Sequence, residues 1–567
     1  MQYDLVIKNA WIVDGSGGPG FPGDLGVTNG KIRTIGRINA TALKTINADG
    51  RVVAPGFVDG HTHMDAQIFW DPLGASSCYH GVTSVIMGNC GFTLAPCAAP
   101  DADYVFRNLE RAEDLSRDAL LAGVDWQWET FPEYLDVIDQ LPKGINYGGY
   151  LGHSALRTYV MGERAFTDPA TDDDLARMRD EVKSAMNAGA IGFSTSRTYN
   201  HLTSDDRPVA SRVAEWEEVR QLVLAMGETG AGIFEIASET PGRKPERQRE
   251  YFERLKDLCV ESGRPMTFGM FSVRIAPDVW RVFYDLPQEV AEAGGRLFIQ
   301  AHTRSISTYL SFKSHTPFDE WDVWNELRAK PLEEQKRALQ DPELKRKLVE
   351  VASKPYEGPR VVGAEARPPE WDWVWLVNDV YDEERMDEVA SARGVHPVEA
   401  FIDISLERDF DVFFRQPLAN ELQDHVLEMM EHDHSVVTFS DSGAHVAQIM
   451  DSSLQTHLLS HWVRDKQAFP LEKAIRLITY DTATAWGLHD RGLLREGMNA
   501  DIVIFDPETI SPTMPYLAHD LPAGAPRLVQ KSQGMSHVIV NGKVMLEENE
   551  HTGALPGQLI RGPLARS

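Results

Sequence analysis

Apolar and polar positions alternate with a period of two near both ends of the chain, which predicts β-strands there. Tyr3–Lys8, Ala10–Asp14, Asp24–Val27 and Lys31–Ile35 make the first set; Asp501–Phe505, His537–Val540 and Lys543–Leu546 make the second. Asn541-Gly542, between the last two, is a strong hairpin signal because both residues tolerate the positive φ of a tight turn. The two termini are therefore expected to meet in one small β-sandwich, residues 1–55 plus 480–567, with 56–479 inserted between them.

Within the insertion the pattern changes. Helical spacing at Asp172–Ala188, Val213–Met226, Gln248–Ser262, Pro287–Ala293, Leu422–His432 and Leu471–Thr479 alternates with short apolar runs. Those runs are Val82–Met87, Ala190–Ser194, Gly232–Ile236, Met266–Ser272, Leu297–Gln300 and Val436–Ser440. Repeated β–α units argue an α/β fold with a parallel sheet, and their number favours a TIM-like (β/α)8 barrel. An open sheet would carry an early glycine-rich dinucleotide loop, and none has the right context. Residues 303–392 fit neither period. They are rich in Pro, charge and Trp (Trp321, Trp324, Trp371, Trp373, Trp375), and read as an insertion in the position of a lid.

Composition narrows the partners. With 567 residues the chain exceeds one ordinary core, consistent with a large domain and a smaller one. Lys plus Arg is 56 against 85 for Asp plus Glu, a net charge of −29, so nucleic acid and anionic membranes are repelled. No run approaches the roughly 18 apolar residues of a membrane span. The opening MQYDLVIKNAWIVDG alternates like a strand, unlike a signal peptide, so a cytoplasmic location is expected. Cys78, Cys90, Cys97 and Cys259 show no paired framework and read as free thiols. A small-molecule substrate is the partner that remains, and nothing opposes a homo-oligomer.

A barrel carries its chemistry at the C-terminal ends of its strands. His61-Thr62-His63 follows the apolar run ending Phe57-Val58-Asp59-Gly60, and alternation on an extended chain turns both imidazoles the same way. Cys90 follows Val85-Ile86-Met87, Glu235 lies in Ile233–Ile236, His302 follows Leu297–Gln300, and Asp441 follows Val436–Ser440. His, Cys, Glu and Asp are the donors zinc uses. Each has a structural alternative: a buried apolar thiol for Cys90, an N-cap for Asp441, a hydrogen-bonded core imidazole for His302. His153 and His445 are expected to line the pocket, with the same alternative.

Together these residues resemble the amidohydrolase superfamily, and within it the N-acyl-D-amino-acid deacylases. Pro55-Gly56-Phe57-Val58-Asp59-Gly60-His61-Thr62-His63 is similar to the first-strand signature, and Gly81–Gly91 to the strand carrying the metal-binding cysteine, Cys90. Gly189–Thr195 with Tyr199 resembles the segment whose tyrosine helps hold substrate; Ser440-Asp441 resembles the catalytic aspartate; Gly487–Val503 and Val540-Asn541-Gly542 resemble the return into the β-domain. The resemblance implies a metal-dependent amide hydrolase holding one or two zinc ions on His61, His63, Cys90, Glu235 and Asp441, with Asp441 as general base and then acid. Tyr199 and an arginine, Arg197 or Arg304, would bind substrate, with His153, His302 and His445 nearby. Two segments depart from the group. Glu235 in Phe234-Glu235-Ile236-Ala237-Ser238-Glu239 stands where a histidine of a His-x-Arg-x-Glu segment is usual, and Met270 where a second histidine is usual. Hydrolysis of a cyclic, aryl or fatty amide, and a non-catalytic binding protein on the same fold, are the competing readings.

Overall fold

A computed structural model describes residues 2–355 and 369–565. Eight parallel strands make the catalytic sheet: β1 (Phe57–Asp59), β2 (Val82–Met87), β3 (Asn146–Gly152), β4 (Gly192–Ser196), β5 (Ile233–Ala237), β6 (Met266–Gly269), β7 (Leu297–Ala301) and β8 (Ser435–Val437). They pair in sequence order from β1 to β8. Every residue of β2 is buried, as expected of parallel strands covered on both faces. β3 has no counterpart in the apolar pattern, because the adjacent Gly148 and Gly149 in its sequence NYGGYLG interrupt the run.

The sheet closes on itself just beyond the ends of β1 and β8. Thr62 bridges Ser442 in parallel fashion; His63 N donates to Ser442 O at 2.8 Å, and Asp441 N to His61 O at 3.2 Å. Thr438 Oγ1 accepts from Gly60 N and donates to Asp59 Oδ1, at 2.7 and 2.8 Å. Gly443, at φ 100°, completes this seam: a Cβ there would lie 2.4 Å from the His63 carbonyl oxygen.

The termini share one nine-stranded sheet. Val52–Pro55 pairs antiparallel with Ile502–Phe505 and parallel with the end of Tyr3–Ile12, whose first half pairs instead with Ala42–Asn47. Only Gly56 separates Val52–Pro55 from β1, so the small sheet fixes where the barrel begins.

The region from 303 onward is a compact unit larger than the sequence pattern marks. Its four-stranded sheet pairs Ile306–Leu310 with Phe413–Ala419, well beyond residue 392, and its core is built from Phe312, Trp324, Phe401 and Phe410 among others. The tryptophans serve this unit and its neighbours: Trp324 is fully buried inside it, and Trp373 receives the Arg274 guanidinium at 4.7 Å. Among the described residues no helix is long and apolar enough to cross a membrane.

Candidate metal centre

The seam lays both histidines against Asp441. His61 Nδ1 sits 2.7 Å from Oε1 of Gln300 on β7, which leaves Nε2 facing Cys90 Sγ at 3.5 Å and Asp441 Oδ1 at 3.7 Å. His63 Nε2 lies 3.1 Å from Asp441 Oδ1 and 3.6 Å from Glu113 Oε2. Cys90 N donates to Glu235 Oε2 at 2.7 Å, tying the end of β2 to β5. Cys90, Phe439, Asp441 and His445 all have left-handed backbones, with φ of 56°, 86°, 55° and 50°. Such residues cost roughly 1–3 kcal/mol each and persist where the surroundings over-determine them. Four of them converge on one site.

Burial dominates the electrostatics. It pushes Glu113 and Glu235 up to about 8 and Asp65 up to about 7, and drives His61 down to about 3. Burial works against a charge on His63 too, but the carboxylates of Glu113 and Asp441 outweigh it and raise the imidazole to about 10. Asp441 is raised by burial and lowered more strongly by His63, so it is held well below the usual carboxylate range. The buried Cys90 thiol is pushed far up, and only a strong local positive charge would make it a thiolate.

These residues fit a divalent ion. His61, His63 and Cys90 present donor atoms within 4.8 Å of one another, as do His63, Glu113 and Asp441. Both ring nitrogens of His63, Glu113 Oε1 and Glu235 Oε1 are buried without a hydrogen-bond partner, although buried polar atoms are nearly always satisfied. Gln300 orients His61 from behind, as outer hydrogen bonds orient metal-binding imidazoles. Zinc takes this mixture of nitrogen, sulfur and oxygen.

Without metal, the excess of buried acids has a measurable sign. Glu113 and Glu235 stay protonated in the fold up to about 8 but ionise near 4.5 when unfolded. The native state therefore holds more protons across that window, and stability falls as pH rises through it. His63 acts the same way at higher pH; His61, lowered to about 3, opposes up to its ordinary 6.5, and Asp441 only below its ordinary 3.8, so the buried acids set the net sign between pH 5 and 8. Chelator-treated protein is expected to melt at a lower temperature at pH 8 than at pH 5; the reverse order would contradict the buried-acid assignment.

The centre forms the floor of a cavity of about 620 Å³. His61, His63, Cys90, Glu235, Asp441, Tyr199 and His445 line it, with Tyr199 64% exposed at the mouth. Four expected residues are placed elsewhere. His153 is locked in the core between Thr195 Oγ1 at 2.8 Å and Glu218 Oε1 at 2.9 Å. His302 turns its Nδ1 to the Arg304 backbone, and the Arg304 guanidinium bonds Ser453 and Tyr309. Arg197 pairs with Glu239 and donates to the Ala214 carbonyl. Among the described residues, none of the 303–392 region lines the cavity. The wall comes from the segment after β6, including Met270, Ile275, Val279, Trp280 and Phe283. The inserted unit meets that segment through Arg274, whose guanidinium lies over the Trp373 ring.

Sequence reasoning missed Glu113 and His201. Glu113 reaches the centre from the polar stretch after the helix Ala102–Leu109, where neither a strand end nor a period marks it. His201 also lines the cavity, its Nδ1 2.7 Å from Ser196 Oγ; its place just past β4 was the available signal.

The chain matches the amidohydrolase family over residues 44–546. It is 27% identical to a D-aminoacylase of Alcaligenes xylosoxydans xylosoxydans over 562 residues, covering 98% of this chain and 97% of the relative. An N-acyl-D-aspartate deacylase of the same organism is also 27% identical, over 564 residues, with 99% and 95% covered. Among solved structures, an N-acyl-D-glutamate deacylase from Bordetella bronchiseptica, complexed with zinc and a phosphonate mimic of the tetrahedral intermediate, superposes with a TM-score of 0.65. It is 21% identical, with 99% of this chain and 100% of that one covered. Fold, closing seam and family match agree: this chain belongs to the amidohydrolase family, in its D-aminoacylase group.

Proposed function

We propose that the protein hydrolyses the amide bond of N-acyl amino acids, using zinc, as one or two ions, held among His61, His63, Cys90 and Asp441. The observation that carries this reading is the meeting of those four side chains at the strand ends, with Asp441 facing the cavity. Bound there, a divalent ion supplies Lewis acidity, acidifying water and polarising a carbonyl oxygen. Asp441, kept ionised beside His63, takes a proton from the attacking water as its oxygen bonds the carbonyl carbon. The same carboxyl then gives that proton to the nitrogen as the C–N bond breaks, because an amide anion leaves poorly. The products are a carboxylate and a free amine. Gln300 fixes the ring of His61 throughout.

Polar and apolar walls divide the cavity. Among the described residues Arg243 is the one lysine or arginine lining it, and it stands exposed at the mouth, placed to pair with an amino-acid carboxylate. The opposite character belongs to the segment after β6, and about 620 Å³ is far more than an acetyl group needs; pockets of roughly 300–1,000 Å³ hold drug-sized ligands. A bulky apolar acyl group suits this wall. Each methylene buried there contributes about 0.8 kcal/mol, roughly a fourfold rise in kcat/KM.

The test is metal analysis of the purified protein with a panel of N-acyl amino acids of both hands and rising acyl length. Bound zinc and cleavage, greater for longer chains and for the D series of the named relatives, are expected. Ile275→Asp and Val279→Asp, both on exposed positions, should erase the chain-length gain and spare the acetyl substrate. No metal and no cleavage would overturn the function; equal rates for all acyl lengths would overturn only the assignment of the wall.

A further inference from the structure

The donor set poses a problem of its own. Positions 235 and 270 carry Glu and Met; a thioether is a poor ligand for zinc, and Glu235 already spends one oxygen on the Cys90 backbone. Glu113 meets the same centre from outside the barrel strands. Its side chain is 2% exposed, Oε2 lies 3.6 Å from His63 Nε2, and Oε1 has no partner. Its backbone is fixed as well, since the Glu113 carbonyl accepts from His445 N at 2.7 Å. His63 and Asp441 complete a trio whose donor atoms all fall within 4.8 Å. The 3.1 Å approach of His63 Nε2 to Asp441 leaves that nitrogen without a well-formed hydrogen bond. One imidazole and two carboxylates thus gather their donor atoms around a common point, within reach of one another.

We propose that Glu113 is a metal ligand, binding a divalent ion together with His63 and Asp441 and replacing the histidine donors absent at 235 and 270. The inference rests on the metal-centre reading. Glu113 there adds a second carboxylate, with its negative charge and hard oxygen donor, to His63 and Asp441.

Cobalt-loaded protein provides the test, with affinity measured by competition against a chelator and the visible and near-ultraviolet spectrum recorded. Loss of a merely supporting residue weakens metal binding roughly 10–100-fold. Glu113→Gln is expected to match or exceed that and to change the visible ligand-field bands, while the thiolate-to-cobalt band from Cys90 persists. Glu113→His restores a donor but cannot act as a counter-charge to His63, so recovered affinity with a shifted spectrum is the ligand signature. It also carries the test if Glu113→Gln fails to fold. Unchanged affinity and spectrum in Glu113→Gln, or no recovery in Glu113→His, would overturn the assignment. A wild-type protein that binds cobalt through Cys90 yet cleaves no amide would refute the proposed reaction and leave this ligand test intact.

Discussion

Asp441→Asn is expected to lower kcat by roughly 10²–10⁴-fold, the range a positioned acid–base group contributes, while His61, His63 and Cys90 retain metal. Asparagine preserves shape and a carbonyl oxygen but can neither accept the proton of water nor deliver one to the leaving nitrogen. The backbone of Asp441 is held by its bond to His61 O and by the left-handed φ of 55°, and asparagine is among the few residues that tolerate that conformation. The substitution therefore leaves the backbone in place while removing the charge that faces His63. Turnover and metal stoichiometry measured on one preparation decide it: full activity with bound metal would remove Asp441 from the proton path.

The second large effect belongs to the histidine pair. His61→Ala with His63→Ala should abolish metal uptake and with it the whole rate enhancement, which in enzymes begins near about 10⁶-fold. In the metal-free fold His63 has a further role, as the cation facing Asp441. Removing one member of a buried ion pair costs about 3–5 kcal/mol, so the double variant should also melt earlier. His61→Ala alone separates the two, since His61 is held uncharged: it should lose metal with a smaller loss of stability. Metal content equal to wild type in the double variant would refute the central site.

The legible part of the site follows one rule, that a polar residue just past an apolar run sits at a strand end. The rule found His61, His63, Cys90 and Asp441 because their runs end where the barrel mouth begins. It misread His302, since on β7 the inward residue is Gln300, which reaches His61; position 302 turns instead to Arg304. Glu113 was invisible because its proximity to His63 is purely tertiary. β3 was lost to its glycines. The run read as a strand over Met266–Ser272 leaves the sheet at Gly269, and its remainder becomes the apolar wall. The Trp-rich region is conspicuous for its aromatics: Trp324 fills the unit's own core, while Trp373 lies under Arg274.

The closing seam also governs how the molecule is made. Asp59 and Thr438, bonded across it, are 379 residues apart in the chain, and contacts of such separation form slowly because loop closure must come first. More than three-quarters of the polypeptide has to be synthesised before Asp441 can meet His61 and His63. A divalent ion held by His61, His63 and Asp441 would therefore find its full set of donors only after the seam has closed, and would add its binding energy to the folded state.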